Sequence, residues 1–369
     1  MSIIRTTIFP GRYVQGYDAI LRLGTEAARF GKRGFLICDP YVFETILPKI
    51  RLGIAQDIQA EVMQFNGECS DEEIERISGL IKKAGVAFGS DVIIGIGGGK
   101  TLDAAKAVAY TLALPIAIVP TIASTDAPCS ALSVIYTPEG SFKRYLILPR
   151  NPDLVLVDTR IVAEAPARFL VAGMGDALAT WFEAEACQRK YAGNMTGSVG
   201  SYTVYTLAHF CYETLLEYGF AAKVSCEAKV VTPALERIVE ANTLLSGLGF
   251  ESGGLAASHA IHNGLTTLEQ THAFWHGEKV AIGVLASLFL TDKPACVIDT
   301  VYAFCEVVGL PTTLAEIGLE DVTDESLMRV ARAACAEGET IHNEPIPVTP
   351  EAVCAALKAA DAHGRKRKK

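Results

Sequence analysis

A short β-branched run, Asp91-Val-Ile-Ile94, leads into GIGGGKTLDAAKA at residues 95–107. An apolar run of this length that stops on glycine reads as a buried strand, and Thr101-Leu-Asp-Ala-Ala-Lys-Ala-Val-Ala-Tyr110 has the recurrence of a helix. A strand ends, Gly97, Gly98 and Gly99 turn the chain, and a helix begins. Backbone N–H groups at a helix start point outward and the helix dipole favours negative charge, so the turn suits an anion. Two phosphate motifs fail on spacing. A Walker loop ending at Gly99-Lys100-Thr101 needs glycine where Ile94 stands. A Rossmann fingerprint needs a third glycine at Lys100 or at Leu102, depending on where it starts. A tight turn with no ligand competes with the anion reading, because glycine serves any turn that needs positive φ.

Further along the first part of the chain, strands alternate with helices. Strands are expected at 34–39, 58–65, 92–96, 115–119 and 154–157, with a helix at 71–84 and a hairpin formed by 131–136 and 143–148 around Pro138-Glu-Gly140. This alternation predicts a mostly parallel dinucleotide-binding sheet with helices on both faces. After Pro166 apolar residues recur at helical spacing over 168–190, 198–218, 228–247, 254–268, 278–290, 296–308, 324–336 and 350–361. The expected organisation is an α/β domain over residues 1–162 and an all-helical domain over 163–369. A length of 369 residues suits two domains on the order of 150–200 residues each.

Composition narrows the partners. Half the residues are hydrophobic and 20% are charged, which supports a large core. A net charge of −9 argues against nucleic acid, and the terminal GRKRKK run reads as a solvated tail. The most apolar stretch, 108–122, is interrupted by Thr111, Pro115 and Pro120 and is too short to span a bilayer, so no membrane partner is expected. MSIIRTTIFPGRY lacks a long apolar core and a cleavage site, so no signal peptide is expected. Ten cysteines without a CxxC pair fit reduced, buried thiols of a cytoplasmic protein.

In a doubly wound sheet, ligands sit outside the carboxyl ends of the strands. Three features fall there: Asp39, the glycine turn with Lys100, and Pro120-Thr-Ile-Ala-Ser-Thr-Asp-Ala-Pro128. An acid beside a glycine turn supplies what the ribose and pyrophosphate of a dinucleotide need. Its charge disfavours a 2′-phosphate, so NAD is expected over NADP. Asp39-Pro40 is also an ordinary turn signal. In the helical half, four of the seven histidines lie within 259–276. His259 and His262 share a helix face, and His276 opens the next helix. A catalytic zinc takes about three N and O ligands and leaves one position open. The best carboxylate is Asp176, on a largely apolar helix opening where a charge needs a partner. Spacing alone does not choose between His259 and His262.

GIGGGKTLDAAKA, PTIASTDAPCSALSVIYTPEG, GMGDALATWFEAEAC, ESGGLAASHAIHNGL and HGEKVAIGVL together resemble bacterial glycerol dehydrogenases of the iron-containing alcohol dehydrogenase superfamily, over nearly the whole chain. The resemblance implies reversible, NAD-dependent oxidation of glycerol to dihydroxyacetone, with one Zn2+ per chain polarising the hydroxyl that yields hydride to the nicotinamide. It implies that Gly97, Gly98, Gly99 and Lys100 bind the pyrophosphate, that Asp39 binds the adenosine ribose, and that Thr121, Ser124, Ser130, Leu132 and Tyr136 line the cofactor. Asp176, His259 and His276 become the metal ligands, placed to meet the substrate hydroxyl, and Asp126 becomes the glycerol contact. His262, one turn from His259, is the candidate proton relay, with a packed helix histidine as the competing reading. Iron-using relatives carry a fourth ligand, a histidine, where Thr180 stands here, and that departure favours zinc. The resemblance also implies a homo-octamer. A phosphotransferase using Gly99-Lys100-Thr101, or a non-catalytic nucleotide sensor, would give no NADH on mixing with NAD and glycerol.

Overall fold

The structure, a computed structural model, describes residues 3–54 and 57–368. Its first half alternates β1 (Tyr13–Gly16), α1 (Leu23–Ala27), β2 (Arg33–Cys38), α2 (Leu47–Ile54), β3 (Gln59–Gln64), α3 (Asp71–Lys83), β4 (Asp91–Gly97), α4 (Gly99–Leu112) and β5 (Ile116–Pro120). A hairpin, β6 (Leu132–Tyr136) and β7 (Phe142–Ile147), precedes β8 (Leu154–Asp158). Six strands form one parallel sheet in the order β1-β8-β5-β4-β2-β3. The side chains alternate between two apolar layers. Phe35, Ile37, Ile93, Ile118 and Val155 face one, while Leu36, Cys38, Ile94, Val119 and Leu154 face the other. Strands buried on both faces read as continuous apolar runs, which is how β4, β5 and β8 stand out in the sequence.

Strand order fixes where a ligand can sit. The chain leaves β2 outward to β3, returns to β4 on the other side of β2, and then proceeds to β5 in the opposite direction. The carboxyl ends of β2 and β4 therefore flank the topological switch point, where a crevice opens. Asp39 follows β2 and Gly97–Gly99 follow β4, so both lie at its edges.

Every later element is helical: α5 (Thr159–Glu164), α6 (Ala167–Lys190), α7 (Tyr202–Glu227), α8 (Pro233–Glu240), α9 (Ser246–Leu248), α10 (Ala257–Leu265), α11 (His276–Leu290), α12 (Ala295–Val308), α13 (Asp324–Ala334) and α14 (Pro350–Arg367). The apolar layer on one sheet face continues into these helices through Leu178, Leu215 and Val284, so the halves share a core.

Several boundaries differ from the periodic reading. The helix expected to end at 218 runs to Glu227, because Gly219 is kept for packing: a Cβ there would come within 2.7 Å of the Phe304 ring. The helix expected over 228–247 starts only at Pro233, capped by the Thr232 hydroxyl, since proline fits the first helical position and not the interior. Beyond Glu240 the helix widens into two π-turns, Ala241–Leu245 and Gly249–Gly253, on either side of α9. A π-turn inserts a residue and shifts the helical phase, so periodicity does not register it. The four half-buried residues of β1 carry no alternation to read. The basic run is not a free tail: as far as Arg367 it is the end of α14, where Arg367 pairs with Glu306 at 2.7 Å and Asp299 at 3.0 Å. Lys369 lies outside the described residues. Among those residues all ten cysteines are free thiols, and no helix is long and apolar enough to cross a membrane.

Candidate metal and cofactor site

Two glycines of α6 build the helical side of the site by close approach. A Cβ at Gly173 would lie 2.0 Å from the Ala123 carbonyl oxygen, and one at Gly175 would lie 2.3 Å from that of Gly277. Only glycine lets the loop after β5 and the start of α11 come this near to α6. Asp176, the next residue, then faces both. Asp176 is the tenth residue of α6, well inside the helix rather than at its opening. Its Oδ1 lies 3.3 Å from His259 Nε2 on α10 and 3.1 Å from His276 Nε2 at the first turn of α11. One atom from each of these three residues falls within a 4.8 Å cluster. Burial opposes ionisation of Asp176, but the charges of His276 and His259 and the hydrogen bonds to them prevail and hold the carboxyl below its ordinary range.

Glu183, seven residues beyond Asp176 on α6, steadies the triad from behind. Its Oε2 meets His259 Nδ1 at 2.6 Å, and its Oε1 accepts the backbone N–H groups of Ala256 and His259, each at 2.9 Å. Burial disfavours charge on His259, but Glu183 and Asp176 raise its pKa well above that of a free imidazole. Sequence reasoning missed Glu183. The available signal was an acid two helical turns from Asp176 on the same buried face.

His262 stands beside the triad. Its ring is edge-on to His276 at 4.2 Å between centroids, and its Nδ1 lies 3.1 Å from Asn263 Oδ1. Burial, then the charge of His276, lowers its pKa well below the ordinary imidazole value. His272 lies apart, exposed, with its ring against the Thr266 carbonyl.

Asp126 reaches the triad from the sheet side. Its backbone N–H donates to Asp176 Oδ2 at 3.2 Å, and the Ser246 hydroxyl donates to its Oδ2 at 2.8 Å. Burial, then repulsion from Asp176, raises its carboxyl pKa well above the usual range.

At the switch point, Asp39 and the glycine turn touch. A Cβ on Gly97, whose φ is +154°, would lie 2.5 Å from Asp39 Oδ2. Asp39 Oδ1 accepts the Val42 N–H at 2.8 Å, so the turn role and the acidic crevice wall coexist in one side chain. No side chain caps α4 at Gly98, and Gly99 is its first residue, which leaves backbone donors open to the crevice. Lys100 is drawn sideways: it pairs with Glu68 at 2.6 Å and lies over the Tyr136 ring. The Thr121 N–H donates to the Gly97 carbonyl at 3.1 Å, which ties the end of β5 to the turn. Ser124 is half-buried, whereas Ser130 is fully buried with its hydroxyl on the Ala127 carbonyl. Leu132 and Tyr136 alternate onto the half-open face of β6, while Ser133 and Ile135 are buried on the other.

Two buried charges anchor the loop after β5, and sequence reasoning missed both. Lys106 on α4 is fully buried; its Nζ meets Asp103 Oδ1 at 2.9 Å and donates to the carbonyls of Ala127 and Leu132. Glu251, in the second π-turn, accepts the Ala131 N–H at 2.5 Å and the Asn151 side-chain amide. Burial pushes the Glu251 carboxyl up to about 7. A surface cleft of about 730 Å³ lies at the amino ends of the strands around Lys32, Arg33 and Asp91, away from all these groups. Within it, Arg33 and Asp91 are paired with each other at 2.7 Å.

Comparison with known proteins gives this geometry a family. Residues 10–159 match the model of the family described as iron-containing alcohol dehydrogenase. A glycerol dehydrogenase of Thermotoga maritima is 69% identical over 99% of both chains. One from Citrobacter freundii is 53% identical over 96% of this chain and 97% of its own. The crystal structure of glycerol dehydrogenase from Schizosaccharomyces pombe superposes with a TM-score of 0.93 at 40% identity, covering 99% of this chain and 92% of the other. With an α/β sheet, a helical half and an Asp-His-His cluster between them, the chain belongs to the iron-containing alcohol dehydrogenase family and is an oxidoreductase.

Proposed function

We propose that this chain oxidises glycerol to dihydroxyacetone with NAD, reversibly, and accepts other small vicinal diols. The observation that carries the reading is the meeting of Asp126 with the Asp176, His259 and His276 cluster, in a chain 69% identical to a glycerol dehydrogenase. The donor set fits a divalent cation. Buried carboxylates at Asp176, Asp126 and Glu183 crowd two histidines, and a dication would balance that charge with both imidazoles neutral. Asp176, His259 and His276 would hold it, one Zn2+ per chain; Thr180, where iron-using relatives place a histidine, has its hydroxyl on Ser246. When bound, the metal supplies Lewis-acid polarisation of a substrate hydroxyl, and NAD supplies the hydride acceptor.

The protein's own groups bind and orient. Asp126 accepts a hydrogen bond from a polyol hydroxyl and repels a phosphorylated substrate. Glu183 fixes the His259 ring so that Nε2 faces Asp176. His262 donates a hydrogen bond from Nδ1–H to Asn263 Oδ1, which leaves Nε2 as an acceptor for the proton released by the substrate. In the crevice, Asp39 accepts the ribose hydroxyls and disfavours a 2′-phosphate. Gly97, Gly98, Gly99 and Lys100 meet the pyrophosphate, and Thr121, Ser124, Ser130, Leu132 and Tyr136 line the rest of the cofactor. The chain acts in the cytoplasm as a homo-oligomer, an octamer by its resemblance to the family. The exposed Tyr202, Phe210 and Phe220 of α7 suit contacts between copies.

Mixing the protein with NAD and glycerol tests the reading. The NADH absorbance band should grow, far more slowly with NADP, and elemental analysis should return one zinc per chain. Absence of NADH with glycerol and every other vicinal diol tried would overturn it.

A further inference from the structure

One helical stretch spans the loop that carries Asp126 and holds it at three points. Asn242 donates to the Ala123 carbonyl at 3.0 Å, the Ser246 hydroxyl donates to Asp126 Oδ2 at 2.8 Å, and Glu251 accepts the Ala131 N–H at 2.5 Å. The two π-turns flank Ser246, and widened turns of this kind recur where a helix must aim a particular side chain. Ser246 is itself held: its Oγ lies 2.8 Å from Thr180 Oγ1, one turn beyond Asp176 on α6. Thr180 and Ser246 are both fully buried, so no solvent competes for their hydroxyls.

The direction of this chain follows from donor counting. Ser246 has one hydroxyl proton and donates it to Asp126 Oδ2, so in its contact with Thr180 it accepts and Thr180 donates. Asp126 is thereby fixed at two places, its N–H on Asp176 and its Oδ2 on Ser246. Its Oδ1 accepts no hydrogen bond from any other described residue, which leaves that oxygen free for a ligand.

We propose that Ser246, oriented by Thr180, is the positioning residue that presents Asp126 Oδ1 as a single acceptor to the second hydroxyl of a vicinal diol. The pair Thr180–Ser246 thus sets the preference for diols over monohydric alcohols. This rests on the assignment of Asp126 to the substrate. It also accounts for Thr180, since the position that could carry another metal ligand is spent on substrate selection.

The test compares steady-state kinetics of the zinc-loaded enzyme on glycerol and on propan-2-ol, beside NAD affinity and metal content. Asp126→Ala should raise the glycerol KM by roughly 10- to 150-fold, the loss of a hydrogen bond to a charged group. Ser246→Ala should raise it roughly 10-fold, with zinc, NAD affinity and kcat/KM for propan-2-ol unchanged. Thr180→Val, nearly isosteric, should act in the same direction more weakly, and Thr180→Ser should recover most of the affinity. In the double variant, Ser246→Ala should add nothing to Asp126→Ala, because its effect passes through that carboxylate. An unchanged glycerol KM in Asp126→Ala overturns the substrate assignment itself. A large effect of Asp126→Ala with none from Ser246→Ala, or with full additivity in the double variant, overturns the positioning role alone. An equal loss of glycerol and propan-2-ol turnover in Ser246→Ala also overturns it, since that is the mark of a merely structural hydroxyl.

Discussion

The two halves build their parts of the site by different means. On the sheet side, the crevice at the switch point is made mostly of backbone: a glycine turn, the uncapped start of α4 and one acid at the end of β2. On the helical side the work falls to side chains, with Asp176, His259 and His276 brought together from positions up to 100 residues apart. A backbone site needs one contiguous stretch that turns correctly. A side-chain site needs three helices packed in register, here with Gly175 of α6 against Gly277 of α11. The comparison predicts that single substitutions should be severe on the helical side and graded on the sheet side.

The sharpest break lies between two histidines on one helix face. His259→Ala should purify with little zinc and negligible turnover, because two remaining donors hold the ion poorly. His262→Ala should keep about one zinc per chain and measurable turnover, the loss being roughly 10- to 100-fold as for a group next to the ligands. Elemental analysis beside the NADH rate decides between them, and metal loss confined to His262→Ala would reverse the assignment. Glu183→Gln falls between the two. It keeps the shape but removes the charge behind His259, and zinc affinity measured by chelator competition should fall roughly 10- to 100-fold.

What was legible in the sequence follows the same division. Gly97–Gly99 and Asp39 are local signals, and strand order then places them side by side. Asp176 and His276 stand out as unusual residue types in apolar or histidine-poor surroundings. His259 and His262 are equivalent by spacing; only the packing of α10 against α6 turns His259 Nε2 toward Asp176. Glu183, Lys106, Ser246 and Glu251 were not legible. Each is a buried polar residue whose burial the sequence does not announce, and for Glu183, Ser246 and Glu251 the partner lies far along the chain, as with Ser246 and Asp126, 120 residues apart. The π-turns around Ser246 were hidden because they break the very periodicity by which helices are read.

On the sheet side, the expected effect is smaller and concerns choice of cofactor. Asp39 is half-buried, and one of its oxygens already serves the Val42 N–H. Asp39→Gly should weaken NAD binding roughly tenfold, the value of one hydrogen bond to a charged group, and should narrow the gap to NADP. Titration of each cofactor by NADH or NADPH fluorescence measures both. Equal use of NAD and NADP by the unaltered protein would remove Asp39 from the ribose site.

Glu251 joins the halves, and its effect should appear in stability rather than in turnover. Burial raises its carboxyl from an ordinary 4.5 to about 7, against the opposing hydrogen bonds from Ala131 and Asn151. Between those values the folded protein keeps a proton that the unfolded chain has released. A folded state that binds more protons loses stability as pH rises, so the contribution is full below the unfolded value and is lost through the folded one. A shift of that size corresponds to on the order of 3 kcal/mol across the window. Glu344, also raised to about 7 by burial, adds a decline in the same range. Glu251→Gln carries no titrating proton there. Its urea-unfolding free energy should therefore fall less between about pH 5 and pH 8 than that of the parent, while the Glu344 part remains. Identical slopes for variant and parent would show that Glu251 does not titrate in this window, and the tether between the π-turn and the Asn151 loop would then be a plain carboxylate contact. A flattened slope with unchanged glycerol turnover would show that the joint between the halves responds to pH while the side-chain site does not.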